Sequence, residues 1–293
     1  MSIIDYNKKT AMQFGWSPEW FGCEDFNNEL TEKIKQFQKE MGIEADGMCG
    51  PGTFRRKFNE RAIEIERSDS DPNFSDHIIC HGNPVHIEWD RVVLWTDRGG
   101  HKAKEGCYRH VDGTRNIDLF VNHWDVCLSS QICQKVLDQR GISVHFLIDN
   151  DGTIYQTLDT THIAWHAGDE NGRSVGVEIS NAYYPRYQNK YVSSGFGERP
   201  IKSGAVVNGH ILEDHTDFYP VQIEALKALT KAIHKGLGIP LETPTNINGT
   251  EYTDTLSASR LKAFKGFVHH YQLTSKKTDC GGLDLVKLLK EIE

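Results

Sequence analysis

Near the N-terminus, apolar residues recur with the period of an α-helix. In the segment LTEKIKQFQKEMGI they stand at intervals of four, three and four residues, which places them on one face of an amphipathic helix. The residues of this face are Leu30, Ile34, Phe37 and Met41. Asn28 or Thr31 would cap the start of the helix, and Gly42 would end it. Glycine-rich turns follow at 46–52 and a second helix is expected from Thr53, so this part of the chain predicts a small all-α unit.

The rest of the chain alternates β-branched apolar runs with helical segments. The predicted strands are 92–95, 117–124, 143–159 and 174–181, and the predicted helices are 129–141, 221–238 and 283–293. Asn150, Asp151 and Gly152 interrupt the third run with residues typical of a hairpin turn. Strands and helices mixed in this way are typical of a three-layer α/β domain, in which a central mixed β-sheet is flanked by helices.

One shift in composition divides the two parts. In residues 60–77, a charged helical run gives way to Ser, Asp, Pro and Asn. We therefore expect an all-α N-terminal domain at 1–66, a linker at 67–84 and an α/β domain at 85–293. Within the second domain, residues 182–219 are longer than a plain connection and form a candidate substrate-facing flap.

Composition narrows the class of protein. The chain has 293 residues, of which 38% are hydrophobic and 25% charged, as in a folded globular protein. Its net charge is −8, whereas a protein that binds nucleic acids usually has a basic surface. No run approaches the roughly 20 apolar residues that span a bilayer, and the first residues lack the apolar core of a signal peptide. The seven scattered cysteines favour buried free thiols over a disulfide framework. We therefore expect a monomer, made in the cytoplasm and not inserted into a membrane.

Histidines supply the candidate chemistry. His123 stands at the end of a predicted strand, where rigid backbone can aim a side chain into a cleft. His269 and His270 precede a polar loop that contains Asp279 and Cys280. One histidine from the strand, one from this pair and either Asp279 or Cys280 would form a three-ligand zinc site with an open fourth position. Zinc in such a site acidifies water and polarises a carbonyl. Ordinary hydrogen-bonded histidines are the alternative.

Four segments of the second part carry a resemblance to the zinc-dependent N-acetylmuramoyl-L-alanine amidases (amidase type 2), the group that includes peptidoglycan recognition proteins and phage lysins. The successive motifs of that family are resembled, in order, by FVNHWDV, ISVHFLIDNDGTIYQTLD, AWHAGDENGRSVGVEISN and HHYQLTSKKTDCGGLDL. This resemblance covers residues 90–293. Independently, the small helical peptidoglycan-binding domain is resembled by IKQFQKEMGIEADGMCGPGT. Two resemblances to unrelated folds therefore indicate one partner, bacterial peptidoglycan.

The resemblance implies the metal ligands. His123 falls on the first ligand, and His270 falls on the second because Gln272 follows it at the family's spacing. The third ligand has two forms in the family. Here the text KTDCGG satisfies both, with Asp279 in the Asp form and Cys280 in the Cys form.

Two further positions favour Asp279. In the family, a catalytic Glu in the later strand accompanies a Lys two residues before an Asp ligand, and this chain has Glu178 and Lys277 at those places. The resemblance implies that Glu178 takes the proton of the attacking water and delivers it to the leaving amine. It also implies that Lys277 stabilises the oxyanion. A cross-strand salt bridge is the alternative role for Glu178.

The resemblance also implies residues that bind the polymer. Trp165, His166 and Asn181 would line a groove for glycan and peptide. In the N-terminal domain, the candidate wall-binding residues are Asp46, Gly47 and Thr53. Holding the conformation of their loop is the alternative role for these three.

Together these resemblances imply a phage endolysin that uses Zn²⁺ to cleave the amide bond between N-acetylmuramic acid and L-alanine. Such a protein would accumulate in the host cytoplasm and reach the cell wall after the membrane is permeabilised. Two other functions are considered. One is a non-catalytic peptidoglycan recognition protein, and the other is a cytosolic amidase that recycles muropeptides.

Overall fold

The computed structural model describes residues 1–65 and 72–292. The helices are α1 (Ile3–Phe14), α2 (Asn28–Glu40), α3 (Pro51–Arg61), α4 (Ser130–Arg140), α5 (Gln188–Ser193), α6 (Pro220–Leu237), α7 (Ala258–Ala263), α8 (His270–Leu273) and α9 (Leu285–Lys290). The strands are β1 (His77–Cys80), β2 (Asn83–His86), β3 (Val92–Leu94), β4 (Tyr108–Arg109), β5 (Leu119–Trp124), β6 (Phe146–Ile148), β7 (Ile154–Gln156), β8 (Ile163–Ala164), β9 (Ser174–Ile179), β10 (Ile201–Lys202), β11 (Val206–Val207), β12 (His210–Ile211), β13 (His215–Thr216) and β14 (Gly266–His269). Among these residues no helix is both long and apolar enough to cross a bilayer.

Six strands form the central sheet in the order β14-β5-β9-β6-β7-β3. Neighbouring strands are parallel except for the β6–β7 hairpin, which is antiparallel. The hairpin turn lies at the predicted residues, and α4 and α6 match two of the predicted helices within one residue at each end. The predicted α/β class, with a mixed sheet flanked by helices, is confirmed.

The two faces of the sheet have different neighbours. Successive residues of a strand point to opposite faces. Val175, Val177 and Ile179 of β9 share a hydrophobic core with α6 and α9. Leu147 of β6 belongs instead to a core that contains α4. The second face of β9 therefore carries Ser174, Gly176 and Glu178, which are the alternate residues of the strand.

The N-terminal helices approach that second face through α4, which contacts β9. Asn27 caps α2 by accepting a hydrogen bond from the Leu30 amide, whereas Asn28 and Thr31 lie inside the helix. The helices α1 and α3 pack against α4. Asn59 of α3 donates to the Val126 carbonyl at 2.7 Å, and its side-chain oxygen accepts from the Leu128 amide. The N-terminal unit thus shares a core with the α/β domain.

Two segments have more structure than their composition indicates. The predicted linker, 67–84, begins among residues that lie outside the described ones and continues into β1 and the first residues of β2, a hairpin that packs on α6. The predicted flap, 182–219, contains α5 and strands β10 to β13. Arg199 anchors this segment from within, because its buried guanidinium donates to the carbonyl oxygens of Asp217 and Ser180.

Candidate active site

The register of the parallel strands places two predicted site residues side by side. His123 of β5 is the direct partner of Glu178 in β9, and Glu178 is in turn the partner of Leu147 in β6. Residues in one row across a sheet point to the same face. Both side chains therefore stand on the face that the N-terminal helices and α4 cover.

His270 and Asp279 complete a group with His123. The Nδ1 atoms of the two histidines are 2.9 Å apart, and Asp279 Oδ2 lies 3.2 Å from His123 Nδ1 and 3.0 Å from His270 Nδ1. All three residues are at least nine-tenths buried. The structure therefore brings three predicted ligand atoms together from β5, α8 and the loop before α9.

This arrangement fits a zinc ion. Ligands of a tetrahedral zinc at its usual bond length of about 2.0–2.1 Å are separated by about 3.3 Å, close to the distances seen here. Two imidazoles and one carboxylate are also a donor set that catalytic zinc sites use. All three residues line a cavity of about 60 Å³, and Glu178 lines it as well.

His269 and Cys280, the two alternative ligands that the sequence offered, point away from the site. His269 Nε2 bonds to Glu251 Oε1 at 2.7 Å, because alternation along β14 turns it to the opposite face from the site. Cys280 is fully buried in the hydrophobic core below the sheet. Burial, followed by the charge of Asp279, raises the pKa of its thiol well above the ordinary value.

The protonation states suit a metal site. Burial and the neighbouring His270 lower the pKa of His123 to about 4, so this imidazole is neutral at neutral pH. Burial raises the pKa of Asp279, but the two histidines hold it well below its usual value. Metal ligands must be deprotonated, and these two groups already are.

A neighbouring histidine orients the first ligand. His166 Nδ1 lies 3.0 Å from His123 Nε2, the ring nitrogen that faces away from the ligand cluster, and Ser174 Oγ lies 3.3 Å from His166 Nε2. A Cβ atom at Gly176 would approach His166 Nδ1 to 2.5 Å, so glycine at this position admits the ring. Such partners fix the orientation of a metal-binding histidine.

Glu178 and Lys277 face the same cavity. Glu178 Oε2 is buried and has no hydrogen-bond partner among the described residues. Burial, followed by Asp125 and Asp279, raises the pKa of Glu178 to about 8. Lys277 is exposed on the loop that leads to Asp279. The geometry provides a carboxyl group with a free oxygen and a cation beside the ligand cluster.

The three predicted groove residues have different surroundings. Trp165, which is 37% exposed, and His166 both line the cavity. Asn181 is not among the residues that line it, so the structure does not bring this side chain to the site. Its amide is buried and donates to the Thr216 carbonyl at 2.6 Å, while its oxygen accepts from the Tyr183 amide. A residue two positions beyond the strand end has already turned away from the sheet.

The candidate wall-binding residues surround Gln38 of α2. Its Nε2 donates to Asp46 Oδ1 at 2.7 Å and to Thr53 Oγ1 at 3.1 Å. Its Oε1 accepts from the Gly47 amide, whose φ of +76° favours glycine. These contacts hold the loop between α2 and α3, which matches the alternative role, and wall binding stays a prediction.

Sequence reasoning missed two arginines. Arg55 of α3 and Arg140 at the end of α4 line the same cavity as Glu178. Neither belongs to a motif of the α/β domain, and Arg55 comes from the N-terminal unit. Only the packing of that unit on the sheet brings it to the site.

Comparison with known proteins decides the family. The model of the family described as N-acetylmuramoyl-L-alanine amidase matches residues 113–282. The chain belongs to the N-acetylmuramoyl-L-alanine amidase family. The matched part of the chain contains His123, His270 and Asp279 as well as Glu178 and Lys277. A second family, described as a peptidoglycan binding domain, matches residues 24–56, which cover α2 and the start of α3.

Two solved structures are similar to this chain. The N-acetylmuramoyl-L-alanine amidase LysC from Clostridium intestinale is 18% identical, with a TM-score of 0.37 over 60% of this chain and 85% of that chain. The Ph2119 endolysin from a Thermus scotoductus bacteriophage is 16% identical, with a TM-score of 0.37 over 69% and 99%.

A third similar structure is the E. coli amidase AmiD in complex with the substrate anhydro-N-acetylmuramic acid-L-Ala-D-gamma-Glu-L-Lys. It is 21% identical, with a TM-score of 0.31 over 45% of this chain and 49% of that chain. No curated protein sequence matches the chain.

Proposed function

We propose that this amidase-family protein is a peptidoglycan hydrolase of the endolysin type, which cleaves the amide bond between N-acetylmuramic acid and L-alanine. The observation that carries the proposal is the approach of His123, His270 and Asp279 to about 3 Å of one another. They line a cavity together with Glu178, whose Oε2 has no hydrogen-bond partner among the described residues. A metal-dependent hydrolytic site combines a metal-binding cluster with a proton acceptor in this way.

The three ligands would hold zinc, which supplies Lewis acidity by polarising a carbonyl and acidifying water. Glu178 would accept a proton from the attacking water and return it to the leaving nitrogen. Its raised pKa of about 8 suits both steps, because a group that titrates near neutrality can take up and release a proton. Lys277 would stabilise negative charge on the carbonyl oxygen. Water thus adds to the carbonyl carbon, the C–N bond breaks, and L-alanine leaves with a free amino group.

The N-terminal domain would bind the polymer and deliver the catalytic site to it. The match of residues 24–56 to a peptidoglycan binding domain supports this role. It also favours a wall-directed enzyme over an amidase that recycles soluble muropeptides. A non-catalytic recognition protein would not need a complete ligand cluster.

The test measures metal content and bond cleavage together. Purified protein is analysed for zinc, and the release of L-alanine amino termini from purified sacculi is measured before and after chelation. We expect about one zinc per chain and chelator-sensitive release. His270→Gln should lose both zinc and activity, whereas His269→Gln, which changes the adjacent but outward-facing residue, should keep both.

Two outcomes would contradict the proposal. Binding to sacculi without zinc and without amino-group release would leave the recognition protein as the better description. Activity on soluble anhydro-muropeptides with none on sacculi would favour the recycling enzyme.

A further inference from the structure

The catalytic cavity has walls from two domains. Glu178 and the metal-binding cluster belong to the α/β domain, and Arg140 enters from the end of α4. Arg55 enters from α3, within the peptidoglycan-binding unit. Hydrogen bonds from Asn59, one turn further along α3, to the Val126 carbonyl and from the Leu128 amide back to Asn59 fix this helix in place. The packing of α3 therefore fixes where Arg55 enters the cavity.

The two guanidinium groups have hydrogen-bonding capacity that the described residues do not use. Arg55 Nε is buried without a hydrogen-bond partner, and in residues 1–65 and 72–292 neither arginine forms an ion pair. Burial, together with the neighbouring Arg55, lowers the pKa of Arg140 to about 10.

A larger cleft continues from this cavity along the junction of the domains. It has a volume of about 520 Å³ and shares Arg55, Trp124, Lys277 and Asp279 with the catalytic cavity. One side is formed by the loop after α2 at 41–43, and the other side is formed by tyrosines and by the strand segment around Leu212. An extended ligand can therefore pass from the ligand cluster into the space between the domains.

We propose that the peptidoglycan-binding domain completes the active site, with Arg55 and Arg140 binding a carboxylate of the substrate's stem peptide. The inference rests on the proposed amidase function. Unpaired guanidinium groups select planar anions, to which each can donate two parallel hydrogen bonds, and neutral sugar hydroxyls do not neutralise them. A stem peptide offers two carboxylates close to the scissile amide. A γ-linked glutamate keeps its α-carboxylate free, and the last residue carries the terminal carboxylate.

The experiment compares soluble N-acetylmuramoyl-L-Ala-γ-D-Glu-L-Lys with two derivatives, one amidated at the glutamate α-carboxyl and the other at the C-terminus. kcat and KM are measured for the full chain as purified with its metal. We expect the wild type to lose about tenfold or more in kcat/KM on one of the two amidations, which identifies the bound carboxylate. Arg55→Gln should lose a similar factor on the unmodified substrate and little on the amidated one. Arg55→Lys should fall between them, because lysine keeps the charge without the planar fork.

Arg61→Gln provides the matched control, since Arg61 lies on the same helix but stacks on Trp20 away from the cavity. It should retain the wild-type discrimination. Arg140→Gln tests the same prediction from α4 if Arg55→Gln does not fold.

The outcomes separate this inference from the proposed function. Loss of discrimination in Arg55→Gln or Arg140→Gln supports the carboxylate site. The inference is overturned if the wild type cleaves all three substrates equally, or if Arg55→Gln slows them all by the same factor. If the wild type cleaves none of them, and sacculi release no amino groups either, the amidase function itself fails.

Discussion

Substitution of the two adjacent candidates for the third ligand gives a sharp test of the site. Asp279 places Oδ2 3.2 Å from one histidine nitrogen and 3.0 Å from the other, whereas Cys280 is buried in the hydrophobic core. The sequence KTDCGG alone does not separate them. The structure predicts opposite results for Asp279→Ala and Cys280→Ala.

Asp279→Ala is expected to reduce zinc affinity and activity, whereas Cys280→Ala is expected to reduce stability. Substituting partners that only support a metal ligand already costs 10- to 100-fold in affinity or activity, so loss of Asp279 itself should exceed about 100-fold in zinc affinity and in activity. Cys280→Ala removes one buried sulfur atom, and the resulting cavity should cost about 1–2 kcal/mol of unfolding free energy. For a chain of this size that corresponds to a decrease in Tm of roughly 2–6 °C, with activity unchanged within about twofold.

The assay uses zinc content after dialysis, amino-group release from sacculi, and thermal unfolding of each variant. Asp279→Asn serves as a control, because it preserves the volume of the side chain and removes the charge. It should lose zinc as Asp279→Ala does. Retention of zinc and activity in Asp279→Ala, with their loss in Cys280→Ala at an unchanged Tm, would refute the assignment.

Three further predictions concern single buried groups. Glu178→Gln should bind zinc normally but lose about 100-fold or more in kcat, because an amide cannot transfer the proton; zinc analysis with kinetics on sacculi checks this. Burial, followed by Asp151, raises the pKa of Asp149 to about 6, above its value of 3.8 in the unfolded chain. The folded protein therefore loses about 3 kcal/mol of stability as pH rises from about 4 to 6, and urea unfolding of Asp149→Asn across this range should show a flatter pH dependence. Arg199→Met should destabilise the protein by about 3–5 kcal/mol, measured as a lower urea midpoint, because buried carbonyl acceptors lose their donor.

Much of the fold follows from local patterns in the sequence. Heptad-like spacing predicts α2, and an Asn-Asp-Gly turn between apolar runs predicts the β6–β7 hairpin. The choice of His270 over His269 agrees with the structure, because His269 ends β14 and bonds to Glu251, whereas His270 begins α8 and lies beside Asp279. These features depend on neighbours in the chain, which a sequence shows directly.

Features that depend on packing between residues far apart in the sequence could not be predicted from local patterns. Residues 77–86 contain Asn, Pro and Gly, as loops do, yet they form a hairpin because α6 covers it. Asn181 looks like a site residue by its place after β9, but the chain turns and buries it. Arg55 is more than 60 residues from His123 in sequence, and only the docking of α3 brings it to the cavity.

The two faces of the sheet explain why both domains belong to one site. On β9, alternate residues Val175 and Val177 form the core with α6, so the row that contains His123 and Glu178 lies on the opposite face. That face cannot be sealed by apolar side chains, since it carries His123 and Glu178. It needs a cover that is apolar at its margin and charged at its centre. α3 supplies this cover, with Phe54 in the shared core and Arg55 beside it in the cavity. Removal of the N-terminal domain should therefore alter the catalytic pocket itself, and not only the delivery of the enzyme to its polymer.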